Sequence, residues 1–326
     1  MYTEAFSILI LLLVASLALL ALDAIVAGLL ALLCRLAFWR CFRWGLLSLA
    51  LPPILLLYGV LIERNCYRVR QVEIASETLP AAFDGYRLVQ LSDIHARSFR
   101  FRERSLARAV DKVNALGADL IVFTGDLVTI GPVELLKTGP VLSRLHAPDG
   151  VLSVLGNHDY CPYMPGARRA ANLDSLALVA ERERALGWDL LCNENRRIVR
   201  GGDTLAVVGV ENISNSKAFP STGDLAKALQ GTEGCWRILL SHDPTHWERD
   251  VVGKEDIPLT LSGHTHAAQV SLFGGWTPSS LLYPHNRGLY REQGQYLYVN
   301  IGLGETIFPA RLGAVPEITL ITLKKD

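Results

Sequence analysis

Two apolar blocks open the chain, and short strand and helix patterns alternate after them. From Ala5 to Cys34 the only charged residue is Asp23. At about 1.5 Å per residue such a helix outruns one bilayer core, so it must tilt or protrude. A second apolar run, Gly45 to Ile62, is interrupted by Pro52-Pro53 and lies near the lower length limit for a span. Prolines are tolerated in membrane helices where neighbours re-satisfy the backbone. Between the two runs, a short basic segment carries Arg35, Arg40 and Arg43 beside Trp39 and Trp44. We read a transmembrane helical hairpin over residues 1–66. A cleaved signal peptide fits less well, because the first run is long and lacks a basic leading region.

The connector arginines place the following domain outside the cytoplasm by the positive-inside rule, whereas Arg64, Arg68 and Arg70 pull the other way. Asp23 is readable as a functional intramembrane carboxylate, as an interfacial residue, or as a partner of the second helix; the structural readings are favoured.

Residues 67–326 carry the second pattern. Val69, Gln71 and Ile74 alternate with charges between Tyr67 and Asp84, which predicts an edge strand. Strands are predicted at Arg87–Leu91, Asp119–Phe123 and Gly150–Val154, with helices at Glu103–Leu116, Val133–Leu145 and Leu173–Leu186. Strands then dominate: Arg197–Val199, Leu205–Val210, Trp236–Leu240, Pro258–Leu261, Tyr296–Asn300 and Glu317–Leu323. Ser214–Gly223 reads as a surface loop. This order, βαβαβ first and mostly β later, predicts an α/β layered domain.

Composition changes the picture little. The 32 basic and 32 acidic residues cancel, so no global field argues for nucleic acid. The six cysteines form no CxxC pair, which excludes a zinc ribbon or a disulfide framework.

The chemistry lies in five short motifs: Asp93-Ile94-His95, Gly125-Asp126, Gly156-Asn157-His158-Asp159, Ser241-His242-Asp243 and Gly263-His264-Thr265-His266. Each falls at or next to the end of a predicted strand. Carboxyl ends of strands in an α/β sheet share one edge, so motifs distant in sequence should converge. Aspartate, histidine and an asparagine carbonyl form a mixed N/O donor set that suits manganese, iron or zinc. Two cations need about seven protein ligands, one of them a bridging carboxylate. Asp93, His95, Asp126, Asn157, His242, His264 and His266 supply that number. Alternation places His264 and His266 on one side of an extended backbone. Such a pair of ions, roughly 3.5–4 Å apart, lowers the pKa of a shared water and stabilises charge on phosphoryl oxygens.

The motif order DxH, GD, GNHD, H, GHTH resembles the calcineurin-like metallophosphoesterase superfamily from about Arg87 to the C-terminus. The resemblance implies a four-layer α/β/β/α sandwich. It implies that Asp93, His95, Asp126 and His266 hold one metal, that Asp126 bridges, and that Asn157, His242 and His264 complete the second, with manganese favoured. It further implies that His158 contacts the phosphate and assists the leaving oxygen, oriented by Asp159.

The double span, Gln269 after GHTH, and the pattern Tyr298…Gly302-Leu303-Gly304…Pro316-Glu317-Ile318 resemble the membrane-associated bacterial branch. That branch includes enzymes hydrolysing UDP-2,3-diacylglucosamine in lipid A synthesis. Ala267-Ala268 stands where that branch often has Gly-Gly, and Asn300-Ile301 where it commonly has Ser-Arg. The expected activity is hydrolysis of a phosphodiester or pyrophosphate in a lipid-linked substrate at the inner membrane. Soluble phosphoesters, and a catalytically silent tethered adaptor, are the alternatives.

Other residues are weighed more evenly. Arg97, Arg100, Arg102 and Arg104 are read either as contacts for a phosphate or lipid headgroup or as a solvated segment. Arg168-Arg169 is read as solvated. His146, His246 and His285 are expected to be surface or structural, and Trp236 and Trp247 to be packing residues. Asp119 is expected to start a strand. Asp243 and Tyr160 are expected to support neighbouring ligands.

Overall fold

The computed structural model describes residues 2–167, 171–306 and 308–326; Arg168 and Arg169 lie outside the described residues. A helix α1, Tyr2–Cys34, is followed after three residues by α2, Phe38–Gly45, a 3₁₀ turn and α3, Leu51–Leu61. The two apolar helical segments, Phe6–Cys34 and Phe38–Asn65, fit a transmembrane hairpin. Leu13, Leu17, Leu32 and Ile54 are exposed, as a lipid-facing surface requires. The second segment begins earlier than its apolar run suggests. Arg40 and Arg43 are helical rather than part of a loop, and the connector shrinks to residues 35–37. Pro52 and Pro53 sit in the first turn of α3, where a missing N–H costs least. Asp23 accepts a hydrogen bond from Ser48 Oγ at 2.8 Å, pairing the two segments.

Among the described residues twelve strands follow, in two six-stranded sheets. The first sheet uses β1 (Arg68–Ser76), β2 (Arg87–Leu91), β3 (Leu120–Phe123), β4 (Val151–Ser153), β5 (Asp189–Leu190) and β12 (Glu317–Lys325), in the order β1-β12-β2-β3-β4-β5. The second uses β6 (Glu194–Arg200), β7 (Asp203–Gly209), β8 (Trp236–Leu240), β9 (Leu259–Ser262), β10 (Gly288–Glu292) and β11 (Gln295–Val299), in the order β10-β11-β9-β8-β7-β6. The predicted edge strand is the outer strand β1. β2, β3 and β4 run parallel, as do β8 and β9.

Period-2 alternation sorts the strand residues into layers. In β3, Leu120 and Val122 face the second sheet, where they meet a core that includes Leu240, Leu261 and Tyr298. Ile121 and Phe123 face the other way, toward Leu106, Val110 and Val113 of α4 (Glu103–Asn114) and Leu142 of α5 (Leu135–Leu142). On the far side, Val208, Leu239 and Leu297 pack against Trp247, Val251 and Ala228. The result is the four-layer α/β/β/α sandwich, with helices outside and the two sheets face to face. The sheets are also tied at the edge that carries the five motifs by a buried polar bond, Gln90 Nε2 donating to Ser262 O at 2.9 Å.

The pattern missed β5 and β10. β5 is two residues long, and β10 is a largely exposed edge strand with no apolar alternation. Asp119 caps the start of β3 by accepting from Arg87 N at 2.8 Å, and Trp236 and Trp247 are core residues.

Leu261 is fully buried between the sheets, one residue ahead of Ser262 at the end of β9, where the GHTH turn begins. Leu261→Ala should cost about 2–5 kcal/mol. At roughly 2–4 °C per kcal/mol for a unit of this size, a scan should show a Tm drop of several degrees; an unchanged Tm would place this side chain outside the core.

Candidate metal centre

Five loops leave the carboxyl ends of β2, β3, β4, β8 and β9 and meet at one edge of the sandwich. Their backbones cross-brace. Asp93 N donates to Gly125 O at 2.9 Å, His95 N to Asp126 O at 3.0 Å and Gly263 N to His242 O at 2.9 Å. Two glycines are required by space. A Cβ on Gly156 would collide with the Asp126 carboxylate, and one on Gly263 with Ser92 Oγ and Asp93 Oδ2. Asp93, His95, Asp126, His264 and His266 all have positive φ, between 44° and 73°. Non-glycine residues rarely adopt this conformation, at about 1–3 kcal/mol each. Ala267 and Ala268 continue it at φ 50°, which explains why glycine suits those positions.

The side chains so aimed fall into two groups that share Asp126. In the first, His95 Nε2 lies 3.0 Å from His266 Nε2 and 3.5 Å from Asp126 Oδ2. His266 Nε2 lies 3.2 Å from Asp93 Oδ1. In the second, His242 Nε2 lies 3.3 Å from Asp126 Oδ2, 3.2 Å from Asn157 Oδ1 and 3.2 Å from His264 Nδ1. The structure thus brings all seven expected ligands together, with Asp126 Oδ2 facing a histidine from each sheet. The other oxygen, Asp126 Oδ1, accepts from His158 N at 2.8 Å.

The donor set tests the fit of a cation. His242 Nδ1 donates to Thr124 O at 2.8 Å, so in the neutral ring Nε2 is a bare lone pair. It points at a second ring nitrogen and an amide oxygen, groups that repel one another unless positive charge lies between them. Ligands about 2.0–2.2 Å from a common ion stand roughly 3–3.5 Å apart, and the observed separations have this spacing. Without an ion, a proton does the work. Burial lowers His242, but the carboxylates of Asp126 and Asp93 outweigh it and raise it to about 10. Burial likewise opposes ionisation of Asp126, and His242 and His158 overcome it and hold that carboxyl well below its usual range.

Asp159 is placed differently from the expectation. It does not orient His158. Its Oδ2 accepts from Asp126 N at 2.8 Å and Gly156 N at 2.9 Å, and its Oδ1 from Val128 N at 3.0 Å. The side chain therefore clamps the turns that carry Asp126 and Asn157. Burial, with the Asp126 charge adding, pushes Asp159 up to about 7 against those donors. His158 is oriented instead by Thr129, whose carbonyl accepts from Nδ1 at 2.8 Å. A one-residue offset puts the two side chains on different sides of the turn.

Asp243 approaches His264 Nε2 at 4.0 Å, whereas Tyr160 bonds Glu211 and Thr222 and reaches no ligand. His246 is structural, with Nδ1 against Ser241 Oγ at 2.8 Å, and His285 sits between Glu248 and Glu292. His146 bonds Arg144 O.

Two residues escaped sequence reasoning. The Tyr283 hydroxyl meets His264 Nε2 at 2.9 Å, turning Nδ1 inward. Arg311, fully buried, donates to Gly304 O, Ile301 O and Ala314 O, and its Nη2 lies 3.3 Å from His266 Nδ1. It fastens the 301–304 loop beneath the centre, while Asn300 bonds Thr319 Oγ1. A single arginine or tyrosine in an irregular loop carries no signal in the sequence.

The centre opens into a cavity of about 650 Å³. Asp126, Asn157, His158, His264 and His266 form its floor, and Ile130, Tyr163 and Phe219 give it apolar walls. Phe219 comes from the loop at 214–223. Ser7 of α1 also lines this cavity.

Residues 86–268 match the model of the calcineurin-like phosphoesterase family, and the chain belongs to that family. It is 33% identical over 87% of its length to the "Transmembrane protein with metallophosphoesterase domain" of Danio rerio, and spans 63% of that protein. It is 29% identical over 82% of its length to the uncharacterized metallophosphoesterase YkuE of Bacillus subtilis, spanning 89% of it. It is 27% identical over 78% of its length to the UDP-2,3-diacylglucosamine pyrophosphatase LpxG of Chlamydia trachomatis, also spanning 89%.

Cation binding must displace the proton from His242. Apparent affinity for a divalent metal should therefore rise with pH between 6 and 8, by up to roughly tenfold per unit for one proton released. Metal titrations at several pH values, with proton release followed in buffers of different ionisation enthalpy, read this directly. An affinity independent of pH would contradict the arrangement.

Proposed function

We propose that this protein is a membrane-anchored, dinuclear phosphoesterase that cleaves a phosphodiester or pyrophosphate bond in a lipid-linked substrate, with UDP-2,3-diacylglucosamine as the leading candidate. Residues 1–66 serve as the anchor in the inner membrane and 67–326 as the catalytic unit. The arginine count around the connector leans toward an extracytoplasmic site. The observation that carries the reading is the wall of the catalytic cavity, where Ser7 of the first apolar helix lies beside the ligand cluster. A centre that opens at the end of a membrane helix is placed to meet a substrate held in the bilayer. The apolar walls at Ile130, Tyr163 and Phe219 suit the apolar part of such a molecule. The LpxG relatives support the same class of substrate.

Asp93, His95, Asp126 and His266 would hold one divalent cation, and Asp126, Asn157, His242 and His264 the second, with manganese favoured over iron or zinc. Bound there, the pair supplies Lewis-acid polarisation of the phosphoryl group and a water of lowered pKa. The protein's own part is positioning and proton transfer. Thr124 and Tyr283 fix which nitrogen of His242 and His264 faces inward. Thr129 holds His158 by Nδ1, leaving Nε2 to meet a phosphoryl or leaving oxygen. Asp159 keeps the Asp126 and Asn157 turns in register.

Two substitutions separate these roles. Asp126→Asn should abolish hydrolysis and lower bound metal. His158→Ala should keep its metal and lose about 10²–10⁴ in kcat; a collapse of metal content in that variant would show His158 to be a ligand instead. The substrate is tested by a manganese-supplemented screen of UDP-diacylglucosamine in vesicles, phospholipids and soluble nucleotides. Preference for the bilayer-presented pyrophosphate is expected, and faster turnover of free nucleotides would overturn the lipid-linked assignment.

A further inference from the structure

Beside the catalytic cavity lies a second cavity of about 440 Å³, lined by Arg64, Arg97, Arg100, Arg102, Thr129 and Thr306, among others. Arg97, Thr129 and Thr306 line both cavities, so the two adjoin. Among the described lining residues Glu305 is the acidic one, and Arg102 Nη2 donates to both of its carboxylate oxygens, at 2.9 and 3.0 Å. With Arg102 and Glu305 paired, the guanidinium groups of Arg64 and Arg100 leave the described lining basic.

Two buried donors in this wall are also without partners. Arg64 donates from Nη1 to Pro309 O at 2.9 Å, yet its Nε is buried and unbonded. Thr129 Oγ1 is likewise buried and unbonded. Buried donors are nearly always satisfied, so these two call for an acceptor. Arg64 lies three residues beyond the end of α3, which sets the cavity at the foot of the second membrane segment.

We propose that this arginine cavity is a phosphate-recognition subsite for an anionic amphiphile of the bilayer, adjoining the metal centre and separate from it. An amphiphile's phosphate is an anion with several acceptor oxygens at membrane-surface depth, and guanidinium forks match it. The same chemistry serves a second phosphate of the substrate or the headgroup of a neighbouring anionic lipid. The inference deepens the lipid-linked reading and rests on it only for which of these phosphates is held.

The test titrates the metal-loaded full chain in a neutral detergent with dihexanoyl phosphatidic acid, with dihexanoyl phosphatidylcholine as control. Arg100 is exposed, so Arg100→Gln carries little folding risk; Arg64→Gln is the second probe. Each should weaken phosphatidic acid binding roughly tenfold, the loss of one charge-assisted hydrogen bond. Arg291→Gln, at the opposite end of the second sheet's strands, should not. Binding should also survive Asp126→Asn. Equal affinity in the wild type and both arginine variants, binding that vanishes with Asp126→Asn, or equal binding of phosphatidylcholine would each overturn the subsite.

A second arm measures hydrolysis of the lipid-linked pyrophosphate in vesicles of phosphatidylcholine with and without phosphatidylglycerol. A KM lowered by phosphatidylglycerol in the wild type alone assigns the subsite to a neighbouring headgroup. A KM raised by both substitutions in either vesicle assigns it to the substrate's own phosphate. If no lipid-linked pyrophosphate is cleaved, the substrate assignment fails while the binding result stands.

Discussion

One carboxylate oxygen organises this molecule. Asp126 Oδ2 stands 3.5 Å from a histidine nitrogen of the first sheet and 3.3 Å from one of the second. Neither sheet alone can build that environment. The two must be stacked so that the ends of β2, β3 and β4 face the ends of β8 and β9. The inter-sheet core of leucines, isoleucines and tyrosines and the Gln90–Ser262 bond serve that alignment. The left-handed backbone at five of the ligands is the local cost. A cation bound between the converging acceptors would offset it.

The layers were legible in the chain because two-residue and helical periods are strong signals in a buried α/β unit. The strand before each motif is found within one or two residues of its expected bounds, so the convergence of Asp93, His95, Asp126, Asn157, His242, His264 and His266 could be foreseen. What could not be foreseen depends on side-chain direction within a turn. His158 and Asp159 are adjacent, yet one reaches Thr129 and the other three backbone N–H groups. Tyr283 and Arg311 reach ligands from loops with no period and no motif. The short β5 and the exposed edge strand β10 lack the alternation by which strands are recognised.

The hairpin is more than a tether in this arrangement. Gly59 of α3 admits the backbone of the 310–312 loop so closely that a Cβ there would clash with Arg311 O at 2.7 Å. Arg311 then reaches the loop beneath His266. On the other arm of the hairpin, at the same open end, Ser7 lines the catalytic cavity. Membrane segment, basic cavity and ligand cluster therefore adjoin, and the lining they share is basic with apolar walls.

Crystals of the full chain grown with manganese, measured at the metal's absorption edge, test the central claim most directly. Two anomalous peaks on either side of Asp126 Oδ2, about 3.5–4 Å apart, are expected. No peak within reach of Asp126, or a single ion held without it, would rule out a shared dinuclear centre.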